Sequence, residues 1–215
     1  EAMDLGAVAH LSAIHSRYAF MHFFDGFRTS HEMQRIEALD YEDLRGLVDW
    51  EALQAFRRQC LNPEHPTNRG NNVNPDIYFQ CKEGVNETTA ALPDTVQHYM
   101  DEINQLTGRN YQLFNYYGAE DAEEVIVVMC SASEAVKETV DYLNQQGRKV
   151  GLLQVHLYRP FSVKHFAAAL PATVKKIAVL DRSKEPGSVG EPLYLDVVTA
   201  LAQAGRGNIQ VVGGR

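Results

Sequence analysis

Short apolar runs alternate with amphipathic stretches from Glu123 to the end of the 215-residue chain, and this alternation constrains the fold more than any other feature. The first run, Val125–Val128, is β-branched throughout, as expected for a strand buried on both faces. Further strands are predicted at Val150–Tyr158, where alternating polar residues indicate one less buried face, at Lys176–Leu180 and at Ile209–Val212. Helices are predicted between successive strands, because apolar residues there recur every three or four positions.

The predicted crossover helices have recognisable ends. Ser133 and Ser162 are placed as N-caps, and Pro192 is placed at the first turn of the last helix. Gly147 and Pro171 are typical helix terminators. Strand and helix alternation at this spacing implies parallel strands joined by right-handed crossovers. We therefore predict an α/β fold, a doubly wound and mostly parallel sheet with helices on both faces, preceded by a partial helical and strand segment.

The residues before this sheet are less regular. A helix is predicted at the start of the chain, followed by a strand over Ala19–Phe24, where aromatic residues favour a pleated surface and an Asp-Gly pair favours a turn. Ser30 is placed as the N-cap of a further helix that contains Met33 and Ile36. The first ~45 residues are therefore predicted to form a helix, a strand and a helix.

Two longer helices are predicted further along. The first runs from Asp49 to Cys60 and should turn an apolar stripe inward, comprising Trp50, Leu53, Phe56 and Cys60. The second begins with Asp94 as its N-cap, continues to Leu106 and ends at Gly108. Asn62–Asn74 is rich in Asn, Pro and Gly, a composition that predicts a long loop or a connection between domains.

Charge and composition exclude several classes of protein. The formal net charge is −8 and no long basic cluster is present, which argues against nucleic-acid binding. The longest apolar stretches are far short of the ~20 residues that span a bilayer, so no membrane partner is expected. Cys60, Cys81 and Cys130 fit neither a disulfide framework nor a metal-binding spacing. A cytoplasmic location is the simplest expectation.

Ligands of open α/β sheets bind at the carboxyl ends of the strands, so the candidate chemistry lies there. Ser131 and Ser133 could hold an anion at a helix N-terminus, or serve only as helix caps. Cys130 could be a nucleophile with His156 nearby, although a lone cysteine on an apolar strand is usually buried packing. No glycine-rich phosphate loop and no histidine metal pair is found. We assign no catalytic, cofactor-binding or metal-binding residue.

Two segments are candidates for contacts between domains. The stretch from Asp181 to Gly187 concentrates charge at a strand end, and a docking surface there competes with a plain solvated loop. The stretch Phe23–Glu32 places aromatic residues around an Asp-Gly turn, with an arginine directly after it, which is more typical of an interface than of a free surface. The candidate interdomain contacts are Arg28, Thr29, Arg159, Asp181, Arg182 and Lys184.

Four motifs in order along the chain resemble the pyruvate:ferredoxin (flavodoxin) oxidoreductase family, and the resemblance covers essentially the whole chain. They are Phe23–Glu32 (FFDGFRTSHE), Leu157–Ser162 (LYRPFS), Ala178–Gly187 (AVLDRSKEPG) and Gly190–Tyr194 (GEPLY). The resemblance implies a large cytoplasmic multidomain enzyme, commonly a homodimer. Such an enzyme decarboxylates pyruvate on thiamine diphosphate and Mg, passes electrons through 4Fe–4S clusters to ferredoxin or flavodoxin, and transfers the acetyl group to coenzyme A.

The same resemblance implies a division of the chain. Residues 1–40 would be the C-terminal remnant of a thiamine-fold domain, residues 41–117 a helical and loop connection, and residues 118–215 an α/β domain similar to the C-terminal domain of transketolase. The family's pyruvate, diphosphate and cluster sites match no position here, so no cofactor is expected on this piece. The helical pattern at Glu1 and the strand end at Arg215 also predict a piece excised from a longer polypeptide.

Three functional hypotheses follow. The first is a non-catalytic structural and interdomain module of the oxidoreductase, whose partners are the remaining domains. The second is a stand-alone module that binds a nucleotide or an acyl carrier in the sheet crevice, which the missing phosphate loop disfavours. The third is a free-standing thiol or hydrolytic enzyme using Cys130, Ser131 or Ser133, which is disfavoured because the sequence does not place a general base for them.

Overall fold

The second half of the chain forms the predicted sheet in the computed structural model, which describes residues 1–66 and 72–215. These residues separate into two units. The helical unit contains Glu1–Phe23 and the described part of Gln34–Asn110, and the α/β unit contains Phe24–Met33 and Tyr111–Arg215.

Five strands form one mixed sheet in the order β1-β3-β2-β4-β5. They are β1 (Phe114–Gly118), β2 (Glu124–Val128), β3 (Val150–Val155), β4 (Lys176–Leu180) and β5 (Gln210–Gly214). The pairs β2–β3, β2–β4 and β4–β5 are parallel, and β1 pairs antiparallel with β3. The predicted α/β class and mostly parallel sheet are confirmed. Strand β1 was not predicted, because its sequence, FNYYG, carries neither a β-branched run nor an alternating pattern.

Three crossover helices connect the parallel strands. They are α7 (Ala132–Gln145), α8 (Val163–Ala169) and α9 (Pro192–Gln203). Helix α7 covers one face, where Val140 belongs to a buried cluster with Val128, Val150 and Leu152. Residues on the other face of the sheet contact α8 and α9: the Phe114 ring meets the Phe166 ring, and Tyr194 lies over Gly213. Helices therefore lie on both faces, as predicted.

The centre of the face under α8 and α9 is buried, and Val127, Leu153 and Val179 are each 0% exposed. The prediction that β3 has one less buried face is wrong. All six residues of β3 are buried, including Gln154, which is 4% exposed. The reason is its position, since β3 lies between β1 and β2 and α7 packs on its second face.

The predicted helix caps have mixed outcomes. Ser162 caps α8 by accepting a hydrogen bond from the His165 amide, and Pro192 begins α9, as predicted. Ser133 is not the cap of α7. It is buried in the first turn, and its hydroxyl donates to the Cys130 carbonyl at 2.8 Å, while Ser131 occupies the N-cap position.

The helical unit is built on α1 and α6, which pack against each other. Its helices are α1 (Ala2–Ser16), α3 (Tyr41–Leu47), α4 (Trp50–Arg58), α5 (Pro75–Glu83) and α6 (Asn86–Thr107). Buried residues of α1 include Val8 and Leu11, and those of α6 include Val96, Met100 and Ile103. Gly108 ends α6 in the left-handed conformation, as predicted.

Several predictions for the first half are wrong. Ala19–Phe24 has no regular secondary structure and pairs with no strand in the described chain, so the predicted strand does not form. The helix after Ser30 is also absent, because α2 spans only Arg28–His31 and Met33 is 100% exposed. Asp94 is not a cap, since α6 already begins at Asn86 and continues through Pro93.

Helix α4 forms where predicted, but its apolar stripe does not point inward. Trp50 and Phe56 are 45% and 51% exposed, and Cys60 lies beyond the helix end and is exposed. Helix α5 was not predicted. The long loop predicted at Asn62–Asn74 lies partly outside the described residues, and its described residues carry only an isolated bridge between Asn62 and His65.

Candidate functional site

Asp181 organises the loop that follows β4 at the carboxyl edge of the sheet. Its side chain is buried, with the residue 6% exposed. Oδ2 accepts a hydrogen bond from the Leu193 amide at 2.7 Å, and Oδ1 accepts from the amide and hydroxyl of Ser183 at 3.2 and 2.7 Å. Because Leu193 lies in the first turn of α9, Asp181 satisfies an orphan donor at that helix N-terminus.

Glu191 holds the other end of the same loop. Its Oε2 accepts a hydrogen bond from the Glu185 amide at 2.7 Å, and its Oε1 pairs with the Arg215 guanidinium. Glu191 is 9% exposed, whereas Val189 at the loop tip is 93% exposed. The loop is therefore tied to the sheet at both ends by carboxylates and presents its tip to solvent.

A segment from the first part of the chain lies at this same edge of the sheet. We call Phe24–Met33 the strap; it belongs to the α/β unit. Asp25 Oδ2 accepts a hydrogen bond from the Ser131 amide at 2.8 Å, and Asp25 Oδ1 lies 3.2 Å from Arg182 Nη1. The Asp25 side chain is 15% exposed. The anion position considered for Ser131 is thus taken by a carboxylate of the chain itself.

The environment of Asp25 favours its charged form. Burial would raise the pKa of this carboxyl, but the hydrogen bonds from Ser131 and the charge of Arg182 outweigh burial and lower the pKa below its ordinary value of 3.8. Because the folded-state pKa is lowered, the stabilisation is present above the ordinary value. It is lost as pH falls through the lowered pKa.

Cys130, Ser133 and His156 take part in contacts just beyond the ends of β2 and β3. Cys130 has a φ of 62°, in the left-handed region, at the junction between β2 and α7. His156 Nδ1 lies 2.8 Å from the Gln112 carbonyl oxygen, and the His156 ring packs edge-on against Tyr111. Ser133 is buried and donates to the Cys130 carbonyl. These contacts are structural, so the thiol or hydrolase hypothesis gains no support from the geometry.

Arg159 and Tyr158 form a second polar group at the edge. The Arg159 guanidinium lies 3.9 Å from the centre of the Tyr158 ring, and Arg159 Nη1 lies 2.8 Å from Asp196 Oδ2 on α9. Burial raises the pKa of Tyr158, the charge of Asp196 adds to this effect, Arg159 opposes it, and the resulting pKa is about 12. Tyr158 is therefore a neutral hydrogen-bonding group at ordinary pH.

The predicted interdomain residues are distributed along this edge. Arg28 and Thr29 lie in α2 of the strap, Arg182 is 73% exposed, and Lys184 is exposed. Of these, Arg182 is brought to the strap through Asp25. Sequence reasoning did not assign roles to Asp25, Glu191 or Asp196. The Asp-Gly turn was a visible signal for Asp25, but its partners lie more than a hundred residues away.

In residues 1–66 and 72–215 no group of three or more His, Cys, Asp or Glu side chains could hold a metal ion. Nor does any helix of those residues have the length and apolarity needed to cross a membrane. The helix N-terminus at Ser131 already receives the Asp25 carboxylate.

Comparison with known proteins gives two family matches. Residues 1–101 match the thiamine diphosphate-binding family of pyruvate flavodoxin/ferredoxin oxidoreductases. Residues 122–215 match core domain II of pyruvate:ferredoxin oxidoreductase. A solved 2-oxoglutarate:ferredoxin oxidoreductase from Magnetococcus marinus aligns with a TM-score of 0.40 and 17% identity over 70% of this chain and 22% of its own, too distant to support an argument.

Individual relatives cover the chain from end to end. The pyruvate:ferredoxin oxidoreductase of Moorella thermoacetica is 59% identical, and the pyruvate-flavodoxin oxidoreductase of Enterobacter agglomerans is 58% identical, each over all of this chain. The chain spans only 18% of the length of each of these two relatives. With both halves matched by models of one enzyme, the chain belongs to the pyruvate:ferredoxin (flavodoxin) oxidoreductase family, of whose members it corresponds to one segment.

Proposed function

We propose that this chain is part of an enzyme that oxidatively decarboxylates pyruvate to acetyl-CoA, and that within it the chain is a structural and interdomain module without a complete active site. The relatives named above support the reaction class. For the whole enzyme we further propose thiamine diphosphate with Mg, 4Fe–4S clusters, coenzyme A as co-substrate, and ferredoxin or flavodoxin as electron acceptor. A homodimeric, cytoplasmic parent is part of the same proposal.

We also propose a division of the chain into three parts. Residues 1–40 are the end of a thiamine-fold domain, residues 41–117 are a helical and loop connection, and residues 118–215 are the α/β domain. The strap and the strand-end residues Arg28, Thr29, Arg159, Arg182 and Lys184 would contact other domains. Asp181 is buried and would contribute indirectly, because its hydrogen bonds hold the loop that carries Arg182 and Lys184.

The observation that carries the module proposal is an uncovered apolar face of the sheet. Helix α7 packs mainly against β3 and β1, and among the described residues no helix covers the part of this face that lies over β5 and beside α7. A groove of ≈ 540 Å³ lies there, lined by residues that include Ile126, Val136, Thr139, Ala178 and Val212. Val212 is 53% exposed. Parallel sheets are normally covered on both faces, so this surface is suited to packing against another part of a longer protein.

An activity measurement tests the first half of the proposal. The purified chain, incubated with carboxyl-labelled pyruvate, thiamine diphosphate, Mg²⁺, coenzyme A and an artificial electron acceptor, should release no labelled CO₂. The full-length Moorella thermoacetica relative serves as the positive control. Turnover by this chain above the background without protein would disprove the absence of an active site.

The groove is tested with an apolar dye. Anilinonaphthalene sulfonate should shift the methyl resonances of Ile126, Val136 and Val212, because these side chains line an open apolar surface. Val212→Glu should weaken the shifts of the Ile126 and Val136 methyl resonances. Val198→Glu is the matched control, since Val198 is 38% exposed but lies on α9, against the opposite face. Equal weakening by both variants, or none by Val212→Glu, would show that the groove does not receive apolar groups.

A further inference from the structure

We propose that the strap is a separable element held on the α/β unit by the Asp25 carboxylate, so that neutralising this one side chain releases residues 24–33 while the sheet stays folded. This inference does not depend on the reaction of the parent enzyme. It concerns how a segment distant in sequence is attached to the carboxyl edge of the sheet.

Two contacts of the Asp25 carboxylate attach the strap to the rest of the α/β unit. Asp25 receives the Ser131 amide at the start of α7, a helix of 14 residues, and the Arg182 guanidinium from the loop after β4. The carboxylate therefore bridges two separate parts of the α/β unit. Both contacts involve a charged acceptor, and Ser131 has no capping bond from its own side chain. Such charge-assisted hydrogen bonds are stronger than neutral ones, and a helix N-terminus favours a negative charge.

Burial of apolar side chains contributes little to holding the strap on the sheet. Phe27 and Met33 are 85% and 100% exposed, and no residue of α2 is buried. Within the strap, the Ser30 hydroxyl donates to the Phe27 carbonyl at 3.2 Å, and the Phe27 and His31 rings are 5.9 Å apart. These contacts shape the strap but do not attach it to the sheet. The Asp25 contacts are thus expected to carry a large share of the attachment.

The Asp25 contacts also determine where Arg28 and Thr29 lie. Arg28 and Thr29 directly follow the Asp-Gly turn and lie in α2. Their position at the carboxyl edge depends on where the turn is held. Asp25 is therefore a positioning residue, because its contacts set the place of the exposed residues of the strap. Its partner in the loop after β4 is Arg182.

Hydrogen exchange of the Ser131 amide, followed by NMR, tests the proposal on the whole chain. Asp25→Asn should accelerate exchange of this amide by about tenfold or more, as expected from the loss of a hydrogen bond to a charged group. Trypsin cleavage after Arg28 should accelerate in the same variant, while cleavage after Arg35, outside the strap, should not. Arg182→Met should give smaller changes in the same direction, because the Ser131 contact remains.

Glu32→Gln is the matched control, since Glu32 is an exposed carboxylate in the same strap and should leave both readouts unchanged. The central-strand amides of Val127 and Leu153 report on the sheet itself. Unchanged Ser131 exchange in Asp25→Asn would overturn the proposal. So would an equal effect of Glu32→Gln. Accelerated exchange at Val127 and Leu153 in Asp25→Asn would also overturn it, because the strap would then be integral to the sheet rather than separable.

Discussion

Replacing Phe166 by alanine should lower the free energy of unfolding of the α/β unit by about 3–5 kcal/mol. Phe166 is 0% exposed, and its ring lies 5.6 Å from the Phe114 ring and 5.4 Å from the Phe161 ring. Alanine would leave a cavity between α8 and strand β1 that rigid neighbours fill only in part. Urea unfolding followed by far-UV circular dichroism, together with hydrogen exchange of β1 and β3 amides, measures the loss.

Tyr142→Ala provides the control for Phe166→Ala. Tyr142 lies on α7 and is 61% exposed, so its truncation should change stability by less than about 0.5 kcal/mol. The rings of Phe114, Phe161 and Phe166 are expected to hold the edge strand β1 in place. A Phe166→Ala variant as stable as Tyr142→Ala would contradict this expectation.

Replacing Asp181 by alanine should cost about 2–4 kcal/mol of stability, because it removes the acceptor at the N-terminus of α9 and leaves the buried Leu193 amide without a partner. The carboxylate accepts hydrogen bonds from Leu193 and from both the amide and the hydroxyl of Ser183. The loss should appear in urea unfolding, and exchange of the first amides of α9 should accelerate locally. Asp181→Asn should be milder, because the amide oxygen still accepts one of these bonds.

Asp141 offers a matched acidic control. Its carboxylate also accepts a hydrogen bond, from the Tyr117 hydroxyl at 2.8 Å, but this contact is exposed to solvent. Asp141→Ala should therefore cost less than about 0.5 kcal/mol. If Asp181→Ala proved no more damaging than Asp141→Ala, the buried carboxylate would not be the organiser of the loop after β4.

The exposed apolar side chains of this chain are consistent with the role proposed for it. Met21 and Tyr41 of the helical unit, and Phe27 and Met33 of the strap, are each at least 85% exposed. Water-exposed groups of this size and number are typical of surfaces that another protein segment covers. The chain spans 18% of the length of the Moorella thermoacetica and Enterobacter agglomerans relatives, which supports the proposal that other parts of a longer protein cover these groups.

Local sequence was a good guide where one interaction dominates. Strands β2 and β4 formed where predicted, because runs such as Val125–Val128 have no stable alternative to burial in a sheet. Ser162, Pro192 and Gly108 ended or began helices as predicted, because caps act within a few residues of themselves. Family membership was likewise readable, since the motifs that carry it are contiguous in the sequence.

Local sequence misled where a residue's role depends on what surrounds it. The aromatic run Ala19–Phe24 has high strand propensity but finds no partner strand, and β propensity has little force without a neighbour to pair with. Strand β1 shows the reverse, because an unremarkable sequence becomes a strand by pairing with β3. Ser133 looked like a cap, yet the cap position fell two residues earlier.

The sequence by itself determined the alternation of strands and helices, the parallel class of the sheet and the family, because these follow from periodicity and from contiguous motifs. Only the tertiary structure decided that Asp25 meets Ser131 and Arg182, that Asp181 and Glu191 tie down the loop after β4, and that one sheet face stays open beside α7. The physical reason is the separation of the interacting residues along the sequence. Hydrogen bonds and packing between residues separated by many positions depend on the path of the whole chain, and no local pattern encodes that path.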